Sequence, residues 1–119
     1  MNLGDIEEAI GRARALLSRK RAGIVLQVVA PPWEVPGALV SVGLRGTGLN
    51  AEIGLYLLAD GAEAQSVAER LRSSLESKAA GEVVAGTNGS LALVGRLLEK
   101  SDEQEFVLGD VASAFAGDE

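Results

Sequence analysis

The chain has no cysteine and no histidine, and its 119 residues include one tryptophan, one tyrosine and two phenylalanines. Lack of cysteine removes disulfides, thiolate nucleophiles and zinc–thiolate sites together, which fits a reducing, cytoplasmic setting. Lack of histidine leaves acid–base work at neutral pH to carboxylates with shifted pKa values. Glu52 and Glu82, at the starts of predicted strands, are the only carboxylates on strand segments, so no catalytic residue is assigned and no enzyme activity is expected. No apolar run approaches the ~18 residues of a membrane span. Asn2-Leu3-Gly4-Asp5 lacks the basic-then-apolar order of a signal peptide. Bases are outnumbered, 11 against 17 acids, for a formal charge of −6. Neither nucleic acid nor membrane is therefore expected as a partner, since phosphate binding needs clustered Lys and Arg.

Aliphatic residues supply what the aromatics do not. Apolar residues make up 47% of the chain but aromatics only 3%. The core must therefore be built from Leu, Val, Ile and Ala, at roughly 1.5–3 kcal/mol for each large side chain buried. The length suits one domain spanning 1–119. Charge is uneven along it. Arg12, Arg14, Arg19, Lys20 and Arg21 lie near one end, and Glu99, Asp102, Glu103, Glu105, Asp110, Asp118 and Glu119 near the other. Two solvated faces account for this, and attraction between opposite ends, within a chain or across a homodimer, is the alternative.

Hydrophobic period assigns the elements. Ile6, Ile10, Ala13, Leu16 and Leu17 follow helical spacing over 5–19, with Asp5 and Glu8 as a capping box. Residues 23–30 form an apolar run broken only by Gln27, which predicts a strand buried on both faces. Pro31-Pro32 stops it. Residues 38–45 and 51–58 alternate, and Gly46-Thr47-Gly48-Leu49-Asn50 joins them as a long antiparallel hairpin. One face of that hairpin carries Ser41, Gly43 and Gly54, so backbone can be approached closely there. Asp60 and Glu63 cap a helix over 61–78 with the stripe Ala64, Val67, Ala68, Leu71 and Leu75. Asn88-Gly89 then predicts a second hairpin, between 82–85 and 91–97. Ser101 and Gln104 cap a last helix over 102–115. The predicted fold is α+β, a single antiparallel sheet of about five strands with helices packed on it, in the order α-β-β-β-α-β-β-α.

Several motifs have plainer explanations than the chemistry they suggest. Gly46-Thr47-Gly48-Leu49-Asn50-Ala51 spells the dinucleotide pattern GxGxxA, but that loop needs a helix to open behind it. Residues 51–58 alternate at period two, so a hairpin turn is expected and no cofactor is assigned. Asn88-Gly89-Ser90 matches a glycosylation sequon that the turn explains. Ser73, Ser74, Ser77 and Lys78 lack the geometry of a serine–lysine pair and read as a polar helix face. The C-terminal acids lack the ligand spacing of a calcium loop, so no metal site is assigned. Trp33 is open to two readings: a loop side chain closing over an edge of the core, or an exposed anchor for a partner.

The order of elements, the acidity and the size resemble the type III secretion chaperone fold. The stretch from Asp5 to Phe115 carries the likeness, most suggestively Ser90 to Leu98 followed by acids and Phe106. The resemblance implies a homodimer that holds a segment of an effector protein non-globular, taking it along apolar grooves or as an added strand. It places the candidate partner-binding surface on the outer hairpin strand, at Leu39, Val40, Val42 and Leu44, together with Trp33. The expected function is thus a non-enzymatic protein-binding module. The alternative is a structural or regulatory domain, excised from a larger protein, that packs on a partner domain.

Overall fold

The computed structural model describes Glu7, Glu8, Ile10, Gly11, Arg14, Ala15 and residues 25–46, 48–77 and 81–116, except the side chains of Ala114 and Ala116. Glu7, Glu8, Ile10, Gly11, Arg14 and Ala15 are helical. After them come β1 (Leu26–Val29), β2 (Val40–Gly46), β3 (Ala51–Leu57), α1 (Gly61–Glu76), β4 (Val83–Asn88), β5 (Leu91–Leu97) and α2 (Asp102–Ala116). This is the expected α+β fold in the expected order. The rest of the predicted first helix lies outside the described residues, including Asp5, Ile6, Ala13, Leu16, Leu17 and the bases Arg12, Arg19, Lys20 and Arg21. So do Thr47, Lys78, Asp118 and Glu119.

The five strands form one antiparallel sheet in the order β1-β2-β3-β5-β4. Strand alternation divides the leucines and valines between its two faces. On one face Leu44, Ile53, Leu55, Leu57, Leu91, Leu93 and Leu97 are buried together with Val107, Leu108, Val111 and Phe115 of α2 and with Ile10. On the other, Tyr56, Ala92 and Val94 are buried under Ala64, Val67, Ala68 and Leu75 of α1. Both helices pack chiefly over β4 and β5. The β1–β2 half of the sheet is left to the N-terminal helical residues and the proline loop.

Local chemistry fixes the ends. The Asp60 side chain accepts from the Glu63 amide at 2.8 Å, as its cap position requires. Ser101 caps α2 through the Gln104 amide at 3.4 Å. The Gln104 side chain does not reach back to complete the box. It spans the β2–β3 turn, accepting from the Asn50 amide and donating to the Gly48 carbonyl.

Three sequence expectations are corrected here. The second hairpin turns one residue later than Asn88: Asn88 pairs with Leu91, and Gly89-Ser90 form the two-residue turn. Gly89 alone takes a positive φ there, as a type II′ turn requires. The Asn88 side chain instead donates to the Phe115 carbonyl at 3.0 Å. Second, β1 is not buried on both faces: it is an edge strand in which only Leu26 is buried. Its other side has no strand among the described residues. Third, β2 is not the outer strand, because β1 pairs with it over Gly43–Gly46.

Gly43 and Gly54 are opposite one another on the α1 face. A Cβ on Gly54 would collide with the Tyr56 phenol, and one on Gly43 with the Ala30 carbonyl. The pair is thus a floor on which the Tyr56 ring and the start of the proline loop lie. The tyrosine hydroxyl donates to the Trp33 carbonyl at 2.9 Å and ties the loop down. Gly54→Ala is expected to destabilise the protein by about 1–3 kcal/mol in urea unfolding, the usual range for overpacking.

Desolvation by burial raises the Tyr56 phenol to about 12, against the lowering effect of its bond to the Trp33 carbonyl. The fold therefore favours the neutral form. Its contribution is complete below pH 10 and is lost as pH rises through 12. Melting curves are expected to show a steep fall in Tm across that window, and a shallower one in Tyr56→Phe.

Candidate protein-binding surface

A strand edge exposes unpaired amide and carbonyl groups, and natural edges are usually blunted with charge, proline or a cover. The sheet has two such edges. Along β4, α1 and its charged residues Glu69 and Arg72 flank a groove of about 300 Å³ that also meets Ala85 and Thr87. No large apolar side chain is exposed on that strand.

The β1 margin differs. Val28 is 50% exposed, Val25 57% and Val29 38%, and the strand carries no charged residue. Leu39, where the chain enters β2, is 65% exposed. The Leu26 carbonyl is engaged by the Arg14 guanidinium, at 3.1 Å from Nε and 3.0 Å from Nη2. Pro31-Pro32 then turns the chain away, so among the described residues Val40–Val42 have no neighbouring strand on that side.

The residues expected to meet a partner divide accordingly. Leu39 lies open. Val40 and Val42 are half-buried on the α2-side core. Leu44 is only 3% exposed and belongs to that core, so its side chain offers no surface. Trp33 is half-buried and packs on the α1-side core beside Val35 and Ala38. Of its two readings, the structure places the ring on the core, with part of it in solvent. Val25, Val28 and Val29 were not expected here. The proline pair behind so short an apolar run, and the Gln27 within it, are the marks of an edge strand that the sequence carries.

A polar row crosses the lower end of the α1 face. Gln27 is opposite Arg45, and Glu52 is opposite Arg96. Arg96 donates from both Nε and Nη2 to Glu52 Oε1, at 2.8 and 2.6 Å. Arg45 is exposed and makes no ion pair or hydrogen bond with the described residues. Among the carboxylates, Glu52 is thus held by an arginine. The Glu105 carboxyl is raised by desolvation, then by a hydrogen bond and the charge of Glu82, and by Asp102. Among the described residues no three acids are placed to hold a metal ion, and no helix is long and apolar enough to cross a membrane.

Comparison with protein-family models, with curated proteins and with solved structures finds no match to this chain.

The half-buried position of Trp33 sets a measurable consequence. Complete burial of a tryptophan gives losses of about 3–5 kcal/mol on truncation to alanine, and partial burial gives less. Trp33→Ala is expected to lower unfolding stability by about 1–3 kcal/mol, read from urea melts. A change within a few tenths would place the ring off the core.

Proposed function

We propose that the chain is a non-enzymatic protein-binding module that captures an extended protein segment as an added strand at the β1 margin, working as a secretion-chaperone-like homodimer. The observation that carries the reading is a strand edge that stays apolar, with no charged residue of its own, beyond the Arg14 contact to the Leu26 carbonyl. Val25, Val28, Val29 and Leu39 are each more than a third exposed beside it. Strand addition satisfies the edge's free backbone groups and covers these side chains at once. Burying each half-exposed valine is worth about 1 kcal/mol, set against the ordering of the incoming segment. The β4 edge, lying between charged helix residues, offers no such gain.

The same face suits the alternative role, a domain that docks on a folded partner, and strand addition separates the two. With isotope-labelled protein, an added peptide of alternating apolar residues is expected to slow hydrogen exchange at Gln27–Val29. Val28→Lys is expected to abolish the effect while leaving Tm unchanged. Protection appearing elsewhere, or nowhere, would sink the strand-capture reading. Sedimentation equilibrium at micromolar concentration is expected to give the dimer mass, and a monomer mass would remove the homodimer from the proposal.

A further inference from the structure

On the α1 face, beside β1, Val29, Pro32, Arg45, Asn50, Glu52 and Leu98 line a shallow depression of about 310 Å³. Among the described residues, neither α1 nor α2 contributes to its lining. Its apolar rim is solvent-facing: Val29 and Leu98 are 38% and 44% exposed. Its charges do not cancel. Glu52 is committed to Arg96, and Arg45, one strand nearer the edge, has no carboxylate of its own among the described residues. A protein of net charge −6 thus presents, among its described residues, a guanidinium with no acid partner at the margin of its sheet.

We infer that this guanidinium selects the captured segment, receiving the carboxylate of an acidic side chain flanked at two residues on either side by apolar ones. The inference rests on the strand-capture reading above. Gln27 is the β1 partner of Arg45. A strand added to β1 would place one side chain opposite Gln27, about two strand spacings, or roughly 10 Å, from the Arg45 backbone. An extended arginine and an extended glutamate together bridge that gap. Alternation then sets the neighbours on the same face opposite Val25 and Val29, where apolar side chains fit. The carboxylate completes an alternating row of Arg96, Glu52, Arg45 and acid, and a lysine in its place would meet an unpaired like charge. Arginine suits this role because its planar fork binds carboxylates in a fixed geometry.

The test uses three blocked peptides, Ser-Val-Thr-Glu-Thr-Val-Ser and its counterparts with Gln or Lys at the centre, in fluorescence anisotropy at low salt. The glutamate peptide is expected to bind about tenfold or more tighter than the isosteric glutamine one, the scale of a hydrogen bond to a charged group. Arg45→Gln is expected to erase that preference, and Arg45→Glu to turn it toward the lysine peptide, with circular dichroism and Tm unchanged in both. Equal binding of the glutamate and glutamine peptides would overturn the role of Arg45. So would an unaltered preference in Arg45→Glu. Either result leaves strand capture standing if Val28→Lys still abolishes binding. No binding of any peptide overturns both.

Discussion

The fold depends on two glycines having no side chain, so that other groups can lie directly on their backbone. Where Gly43 and Gly54 meet across β2 and β3, the sheet is thin enough for a tyrosine ring to lie flat and for the backbone at Ala30 to cross close by. Any side chain at Gly54 would displace the Tyr56 ring. The hydroxyl would then lose the Trp33 carbonyl, and with it the anchor of the loop that carries Trp33, Val35 and Ala38 onto the core. A chain with so few aromatics uses its one tyrosine to join sheet and loop, giving it both a large buried face and a polar tip with a partner.

Coverage of the sheet is lopsided as a result. Both helices lie over β4 and β5, and the loop reaches only part of the opposite half. The N-terminal helical residues add Ile10 to one face and fasten Arg14 to the Leu26 carbonyl. What stays open is a margin of valines and, around the corner, an arginine with no acid partner among the described residues. Apolar surface of this kind is the feature on which the proposed contact rests. The Arg45 charge beside it is the feature from which the proposed preference for one kind of segment is inferred.

Much of the architecture was legible because period and punctuation agreed. The β2–β3 hairpin followed from alternation on both sides of a glycine-rich turn, and the caps at Asp60 and Ser101 each accept the amide bond their position implies. Burial was less legible. A short apolar run such as residues 25–29, broken only by Gln27, fits a central strand and an edge strand equally, and only the pairing partners decide which it is. The second turn was misplaced for a related reason. Asn-Gly satisfies a turn by its own conformational freedom, but here the asparagine amide has a tertiary acceptor in Phe115, and the turn passes to the next pair. The polar row was invisible for the same cause: Arg45 and Arg96 are 51 positions apart, and only strand register brings them to one face.

That asparagine has a chemical future of its own. An amide followed by glycine is the arrangement most prone to slow hydrolysis, since little shields the side chain from attack by the next backbone nitrogen. Here the amide nitrogen ties the end of α2 to the hairpin, beside the buried Phe115 ring. Conversion to aspartate would replace a donor with a charged acceptor facing a carbonyl, so the oldest molecules in a population would hold the last turn of α2 less firmly than the rest.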